Sequence, residues 1–344
     1  MATFSPSPAY RDQGPYKTGV LLVNSGTPDS LDAGGVRRFL RRLLRDRRTI
    51  EVPRVIWCWI LYFIILPTRP ARVLPKYRRV WTEKGSPLLW HSVALRDALR
   101  VQLEQRLNAP VAVELGMLYS TPDVAQGLQA LRAAGAQRIL VLPLFPQYSG
   151  TTNAAALDQV GTALRTWRYV PQLHFLADYS ANEQYMNALA ASVREYRNAN
   201  GAGDHLLITF HGIPAQYVAE GDPYQRKCQA TATALVKRLG LNEDQWSLSF
   251  QSRVGRAEWL KPYTEAVVRE LAQRGVKRLD AVCPGFAVDC LETIDEIGHE
   301  CDVLFRAQGG ESLRYIPALN ESAAQVELLA RLVESHLPAG SPAA

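Results

Sequence analysis

The strongest constraint on the fold of this chain is an alternation. Short runs rich in Val, Ile and Leu ("GVLLVN", "VAVELGML", "RILVLPLF", "HLLITF", "SLSFQS", "RLDAVC", "LRYIPAL") are followed by polar clusters with Gly or Pro. Helix-patterned stretches such as "PDVAQGLQALRAAGA" and "KPYTEAVVRELAQRG" lie between them. Strands that read as continuous apolar runs are covered on both faces, which points to parallel sheets flanked by helices. The alternation occurs twice, from Gly19 to about Trp167 and from about His205 to Leu319. The fold class that follows is α/β, with two doubly wound lobes of similar plan. The predicted boundaries are 18–167 for the first lobe, 168–319 for the second, and 320–336 for a last helix packing back on them. Ligands of open α/β sheets sit outside the carboxyl ends of the strands, where these polar clusters fall. Two facing lobes would line one cleft with them.

Hydrophobic residues make up 47% of the 344 and charged residues 21%, an ordinary globular composition. The net charge of +6 and the pI of about 9.1 suit an anionic partner. No nucleic-acid motif accompanies the basic runs, so nucleic acid is not expected. Cys58, Cys228, Cys283, Cys290 and Cys301 form no CxxC pair and no zinc spacing. They fit reduced thiols in the cytoplasm. "MATFSPSPAYRDQGPYK" has no apolar core after its charges, so no secretory signal is expected. This leader and the final "LPAGSPAA" read as frayed ends.

"VIWCWILYFIIL", Val55 to Leu66, is apolar all round and lies between Pro53 and Pro67. It is too short to span a bilayer, which takes about 20 residues. A buried core helix is one reading. "RRFLRRLLRDRR" before it and Arg69, Arg72, Lys76, Arg78 and Arg79 after it support another. In that reading residues 53–80 form a lip, with Trp57, Trp59 and Phe63 dipping into a membrane of anionic head groups.

"DCLETIDEIGHE" concentrates carboxylates in a basic protein. On an α-helix Asp289, Glu292, Glu296 and Glu300 would form one stripe, while Leu291, Ile294 and Ile297 anchor another face. Stacked like charges repel by a few tenths of a kcal/mol per pair, so the stripe is either a solvated face or a cation site. His211 follows the run "LLITF" and precedes Gly212, which places it at a strand end. Imidazole with carboxylate suits a divalent first-row metal or a proton-transfer pair. "NSGTPDS" lacks the glycines of a nucleotide loop. "PQYSGTT" offers Tyr148, Ser149, Thr151 and Thr152 either to an anion or to helix capping. Trp259 suits stacking on a flat ligand or packing in a core.

Taken together, "VLLVNSGTPDS", "KGSPL", "LFPQYSGTT", "TFHGIP", "GDPYQRKC", "FQSRVGRAEWLKPYT", "CPGFAVDCLETIDEI" and "YIPALN" resemble, in order, the motifs of the ferrochelatases. The resemblance covers nearly the whole chain from Gly19. It implies two Rossmann-like lobes around a porphyrin cleft and insertion of Fe²⁺ into protoporphyrin IX, the last step of haem biosynthesis. It implies that His211 is the essential histidine, acting as proton acceptor or metal ligand, and that Glu292 faces it. Asp289, Glu296 and Glu300 match an acidic metal path. Ser25, Leu118, Tyr119, Tyr148, Ser149, Thr151 and Trp259 fall on substrate-binding segments.

There are departures. Leu118 stands where relatives often carry Arg, and Cys290 where His is common. Gly150 stands where the animal enzymes have a cluster cysteine, and the chain ends without their cysteine-bearing tail. No iron–sulfur cluster and no tightly bound cofactor are therefore expected. Ser25, where users of coproporphyrin commonly have Tyr, and the apolar lip favour protoporphyrin IX arriving from the inner membrane. That places the protein on the cytoplasmic membrane surface, in transient contact with the preceding pathway enzyme. A chelatase for another divalent metal or for coproporphyrin III, and a non-catalytic porphyrin or haem carrier, are the alternatives.

Overall fold

The runs "GVLLVN", "RILVLPLF" and "HLLITF" become strands because they carry β-branched or leucine side chains at consecutive positions, which suits burial on both sheet faces. A computed structural model describes residues 17–108, 110–255 and 257–337. The leader and the tail lie outside the described residues except at Lys17 and Leu337. Eight strands are present among the described residues: β1 (Thr18–Asn24), β2 (Ala112–Met117), β3 (Arg138–Pro143), β4 (Gln172–Phe175), β5 (His205–His211), β6 (Trp246–Gln251), β7 (Arg278–Val282) and β8 (Ser312–Ile316). They form two four-stranded sheets in two compact units.

The first unit comprises the chain to Leu144, Gly150–Ala177 and the chain from Glu321. Its sheet has the order β2-β1-β3-β4, with every pairing parallel. The boundary expected near residue 167 falls too early, because β4 pairs with β3 from Arg138↔Gln172 to Val141↔Phe175. The helix Val124–Ala133 lies close on this sheet at Gly127. A Cβ there would come within 2.6 Å of Leu21 Cδ1 and 2.9 Å of the Leu115 carbonyl oxygen. The last helix, Ala323–Ser335, packs on the helix Pro87–Leu107 of the same unit. Arg106 joins the two through Glu327 and, at 2.8 Å, Glu334.

The lip segment is helical from just after Pro53, and the helix continues through Pro67. Helix Arg54–Ile60 passes through a π-helical turn, Leu61–Ile65, into helix Leu66–Val80. Pro67 has no N–H to donate four residues back. The wider turn just before it accommodates this, and the Leu66 N–H reaches the Leu61 carbonyl, five residues away. Only one side of the segment is buried. Leu61 and Leu66 lie in the core, whereas Val55 is 87% exposed, Trp59 60% and Phe63 69%. Trp57 does not belong with the exposed set. Its ring is buried and its Nε1 donates to the Leu44 carbonyl at 2.5 Å. No helix among the described residues is long and apolar enough to cross a membrane.

The second unit comprises Phe145–Ser149 and Asp178–Asn320. Its sheet has the order β6-β5-β7-β8, again wholly parallel, so the plan of the first sheet is repeated. Leu207, Leu279, Ala281, Val268 and Phe305 belong to a core between this sheet and its helices. The acidic segment, Glu292–Cys301, extends from the loop after β7 and is held in that core by Ile297 and Cys301.

Candidate functional site

His211 is the last residue of β5 and is paired in register with Gln251, the last residue of β6. The chain then turns away at Gly212, whose N–H bonds the Gln251 carbonyl at 2.9 Å. A Cβ at Gly212 would lie 3.0 Å from that carbonyl oxygen and 3.2 Å from Trp259, so the turn leaves little room for a side chain. Pro214 and Trp259 form an antiparallel bridge, which sets the indole beside the histidine with ring centroids 6.3 Å apart. The indole N–H of Trp259 is buried and has no acceptor among the described residues.

His211 Nδ1 lies 2.7 Å from the Gly212 carbonyl oxygen. A carbonyl only accepts, so Nδ1 carries a hydrogen, and in the neutral imidazole the lone pair is on Nε2. The result is an imidazole fixed in orientation, with its basic nitrogen on the other side of the ring from the backbone.

The acidic segment is not the α-helix expected from the stripe. It is π-helical over Glu292–Cys301. A turn with bonds five residues back is wider than four residues, so Glu292, Glu296 and Glu300 keep to one side while Asp295 is fully buried on another. Gln251 Nε2 donates to the Glu292 carbonyl at 2.8 Å, tying the start of the segment to the strand beside His211. Ser252, at φ +67°, donates its hydroxyl to Glu296. The Glu292 carboxylate also bears on Cys290, where burial first and then this charge push the thiol well up. Cys290 packs and stays protonated.

Asp289 lies apart from the row. It is buried and takes hydrogen bonds from Tyr315 Oη (2.6 Å), Asn320 Nδ2 (2.7 Å), Thr293 Oγ1 (3.0 Å) and the Ala318 N–H (3.3 Å). Burial, then Asp289, push the Tyr315 phenol well up, so it remains a donor. These bonds make Asp289 an anchor for the loop before the acidic segment. No cluster of three or more His, Cys, Asp or Glu suited to holding a metal ion occurs among the described residues.

The "PQYSGTT" segment divides between the units. Tyr148 and Ser149 belong to the second. The Tyr148 N–H bonds Asp178 at 2.7 Å, leaving its half-buried ring available, while the Ser149 hydroxyl is buried on Asp222 at 2.9 Å. Thr151 lies in a π-helical turn, Gly150–Ala154, in the first unit and is half-buried. Also in the first unit, Ser25 follows β1 with its side chain half-buried. Leu118 and Tyr119 follow β2 and line a hollow of about 400 Å³ with Arg41, Arg42, Arg45 and Arg54. Tyr119 is buried and donates to Asp46 at 2.9 Å. Gln251 and Ser252 were not singled out from the sequence. Their signal was position, since "FQS" ends a strand at the same edge as "FHG".

A model of the family described as Ferrochelatase matches residues 17–337. A ferrochelatase of Thioalkalivibrio sulfidiphilus is 49% identical over 324 residues, covering 94% of this chain and 88% of that one. A ferrochelatase of Aeromonas hydrophila is 47% identical over 317 residues, covering 92% and 98%. Among solved structures, the sirohydrochlorin chelatase SirB of Bacillus subtilis in complex with cobalt superposes with a TM-score of 0.56 at 11% identity, over 93% of this chain and 94% of that one. CbiX superposes with a TM-score of 0.51 at 12% identity, over 94% and 100%. At these identities the last two are similar in fold.

Proposed function

This chain belongs to the ferrochelatase family, and we propose that it inserts ferrous iron into protoporphyrin IX with His211 as proton acceptor and Glu292 as the partner carboxylate. The reaction class follows from membership: iron enters porphyrin in haem biosynthesis. Each turnover removes two protons from pyrrole nitrogens and strips water from the metal. The observation that carries the role of His211 is its 2.7 Å bond from Nδ1 to the Gly212 carbonyl. In the neutral imidazole it leaves Nε2 as the acceptor, held in a fixed direction, as general-base work requires.

Glu292, Glu296 and Glu300 supply a row of carboxylate oxygens on the same unit. Oxygen and nitrogen donors suit Fe²⁺ but do not by affinity prefer it to its neighbours in the row of metals. Selectivity would therefore lie with metal supply and with the porphyrin. Asp289, whose carboxylate is satisfied by four donors, is left out of this path. The flat face of Trp259 next to His211 is placed to stack on a tetrapyrrole. No resident cofactor and no iron–sulfur cluster form part of this reading, and Gly150 brings no thiol to its loop.

Protoporphyrin IX is favoured by Ser25 and by the exposed apolar side chains Val55, Trp59 and Phe63. These also support peripheral attachment to the inner membrane from the cytoplasm, where a poorly soluble porphyrin would be handed on by the preceding pathway enzyme. An anaerobic absorbance assay with protoporphyrin, coproporphyrin and a panel of divalent metals tests the reading. Protoporphyrin with Fe²⁺ should give the highest kcat/KM of the porphyrin pair. A higher value with coproporphyrin would overturn the substrate assignment.

A further inference from the structure

The hollow lined by Leu118 and Tyr119 is strongly basic. Arg41 and Arg42 lie in the last turn of the helix Ala33–Leu43, Arg45 just beyond it, and Arg54 begins the lip segment. One carboxylate, Asp46, shares the space, and it is engaged by the Tyr119 hydroxyl at 2.9 Å and the Arg48 N–H at 2.8 Å. Arg42 reaches Asp29 only at 3.7 Å. Arg54 donates through Nη2 to the Arg45 carbonyl, but its Nη1 is buried with no acceptor among the described residues. A buried donor without a partner is destabilising, and an oxyanion entering the hollow would satisfy it. Forked guanidinium donors match phosphate oxygens in pairs.

The surroundings distinguish which anion. Val55 and Ile56, next in the chain after Arg54, are 87% and 57% exposed, and Trp59 and Phe63 follow on the outer side. Cations beside apolar side chains reproduce the order of a membrane surface, phosphate next to acyl chain. We propose that Arg41, Arg42, Arg45 and Arg54 form a pocket for the phosphate of an anionic phospholipid headgroup. The pocket rests on the membrane reading above and gives it chemical specificity: the apolar side chains supply attachment, and the pocket supplies preference for anionic lipid.

The test is sedimentation of the full chain with phosphatidylcholine vesicles, with and without phosphatidylglycerol. Arg45→Gln/Arg54→Gln should lose about thirtyfold of the preference for phosphatidylglycerol, at about 1 kcal/mol per basic residue. The charge-matched control Arg37→Gln/Arg47→Gln, outside the hollow, should lose less than about threefold. Arg45→Gln alone, at an exposed position, serves if the double variant fails to fold, and should lose about fivefold. Equal losses in pocket and control variants, or no loss in either, would overturn the pocket while leaving the membrane reading intact. If the wild-type chain bound neither vesicle, both would fall. Calorimetry with inorganic phosphate separates the remaining source. Saturable binding that disappears in Arg45→Gln/Arg54→Gln, with vesicle preference unchanged, would reassign the hollow to a free anion.

Discussion

Gln251 and Glu292 are joined by one hydrogen bond, from Nε2 to the Glu292 carbonyl at 2.8 Å. Gln251 is also the β-partner of His211 and is buried at the strand end. The two residues given chemical roles are therefore referenced to one residue, His211 through its strand pairing and Glu292 through the Gln251 side chain. Its Oε1 in turn accepts from Thr209 Oγ1 at 3.3 Å, which fixes the amide's orientation. Gln251 is thus a positioning residue.

Gln251→Ala should lower kcat about ten- to a hundredfold, the size of effect expected when a reacting group is displaced by about 1 Å. KM for porphyrin should change less than about twofold, and Gln251→Glu, which keeps the length but not the donor, should not restore the rate. Steady-state kinetics decide. An unchanged kcat in Gln251→Ala would remove the residue from the account.

Asp289→Asn should act on stability. The substitution replaces one carboxylate oxygen by an N–H₂ that faces either Asn320 Nδ2 or the Tyr315 and Thr293 hydroxyls, and leaves a buried donor unpaired at about 1–3 kcal/mol. The midpoint of thermal unfolding should fall by several degrees, at about 2–4 °C per kcal/mol. KM for Fe²⁺ in the folded enzyme should stay within about twofold. A large rise in that KM with an unchanged midpoint would return Asp289 to the metal path.

Stability should fall on the acid side partly through His205. Burial first, then the charge of Arg274, hold its imidazole below the ordinary value of 6.5, against a weaker opposing pull from Asp244. The unfolded chain therefore takes up this proton at a higher pH than the folded one. Stability falls as pH drops through about 6.5 and stops falling below the depressed folded value. His205→Asn, compared by thermal unfolding at about pH 7.5 and about pH 5.5, should show a smaller acid loss than the wild type. An equal loss would place the acid sensitivity elsewhere.

The lip aromatics should separate into two classes. Trp57→Ala should destabilise by about 3–5 kcal/mol, because its ring is buried and its N–H is bonded to Leu44. Trp59→Ser/Phe63→Ser should change stability by less than about 1 kcal/mol, since both side chains stand in solvent. It should nonetheless abolish most sedimentation with anionic vesicles. Retained sedimentation would leave the exposed face without the role given to it.

The repeated parallel sheets were legible because strands covered on both faces read as unbroken apolar runs, and β1, β3 and β5 are of that kind. β4 was not, because "QLHF" is four residues long and alternately exposed at a sheet edge. The position of His211 was legible as a polar residue at a strand end, whereas Glu292 lies at the start of the helical segment that follows the loop after β7. The role of Asp289 was not, because its partners Tyr315 and Asn320 come from β8 and the loop after it, far along the chain. The π-helical turn of the acidic segment was hidden because its side-chain pattern passes for an ordinary amphipathic helix. Trp57 was grouped with its exposed neighbours because an all-apolar run has no pattern to say which side faces the core.

The most direct measurement is anaerobic metal insertion by His211→Ala, followed by porphyrin absorbance beside a porphyrin-binding titration. With the base gone and Gly212 and Trp259 retained, porphyrin should still bind within a few-fold of wild type. The insertion rate should fall by about 10²–10⁴, the range of general-base contributions. Insertion at a rate near wild type would contradict the assignment of His211 as proton acceptor.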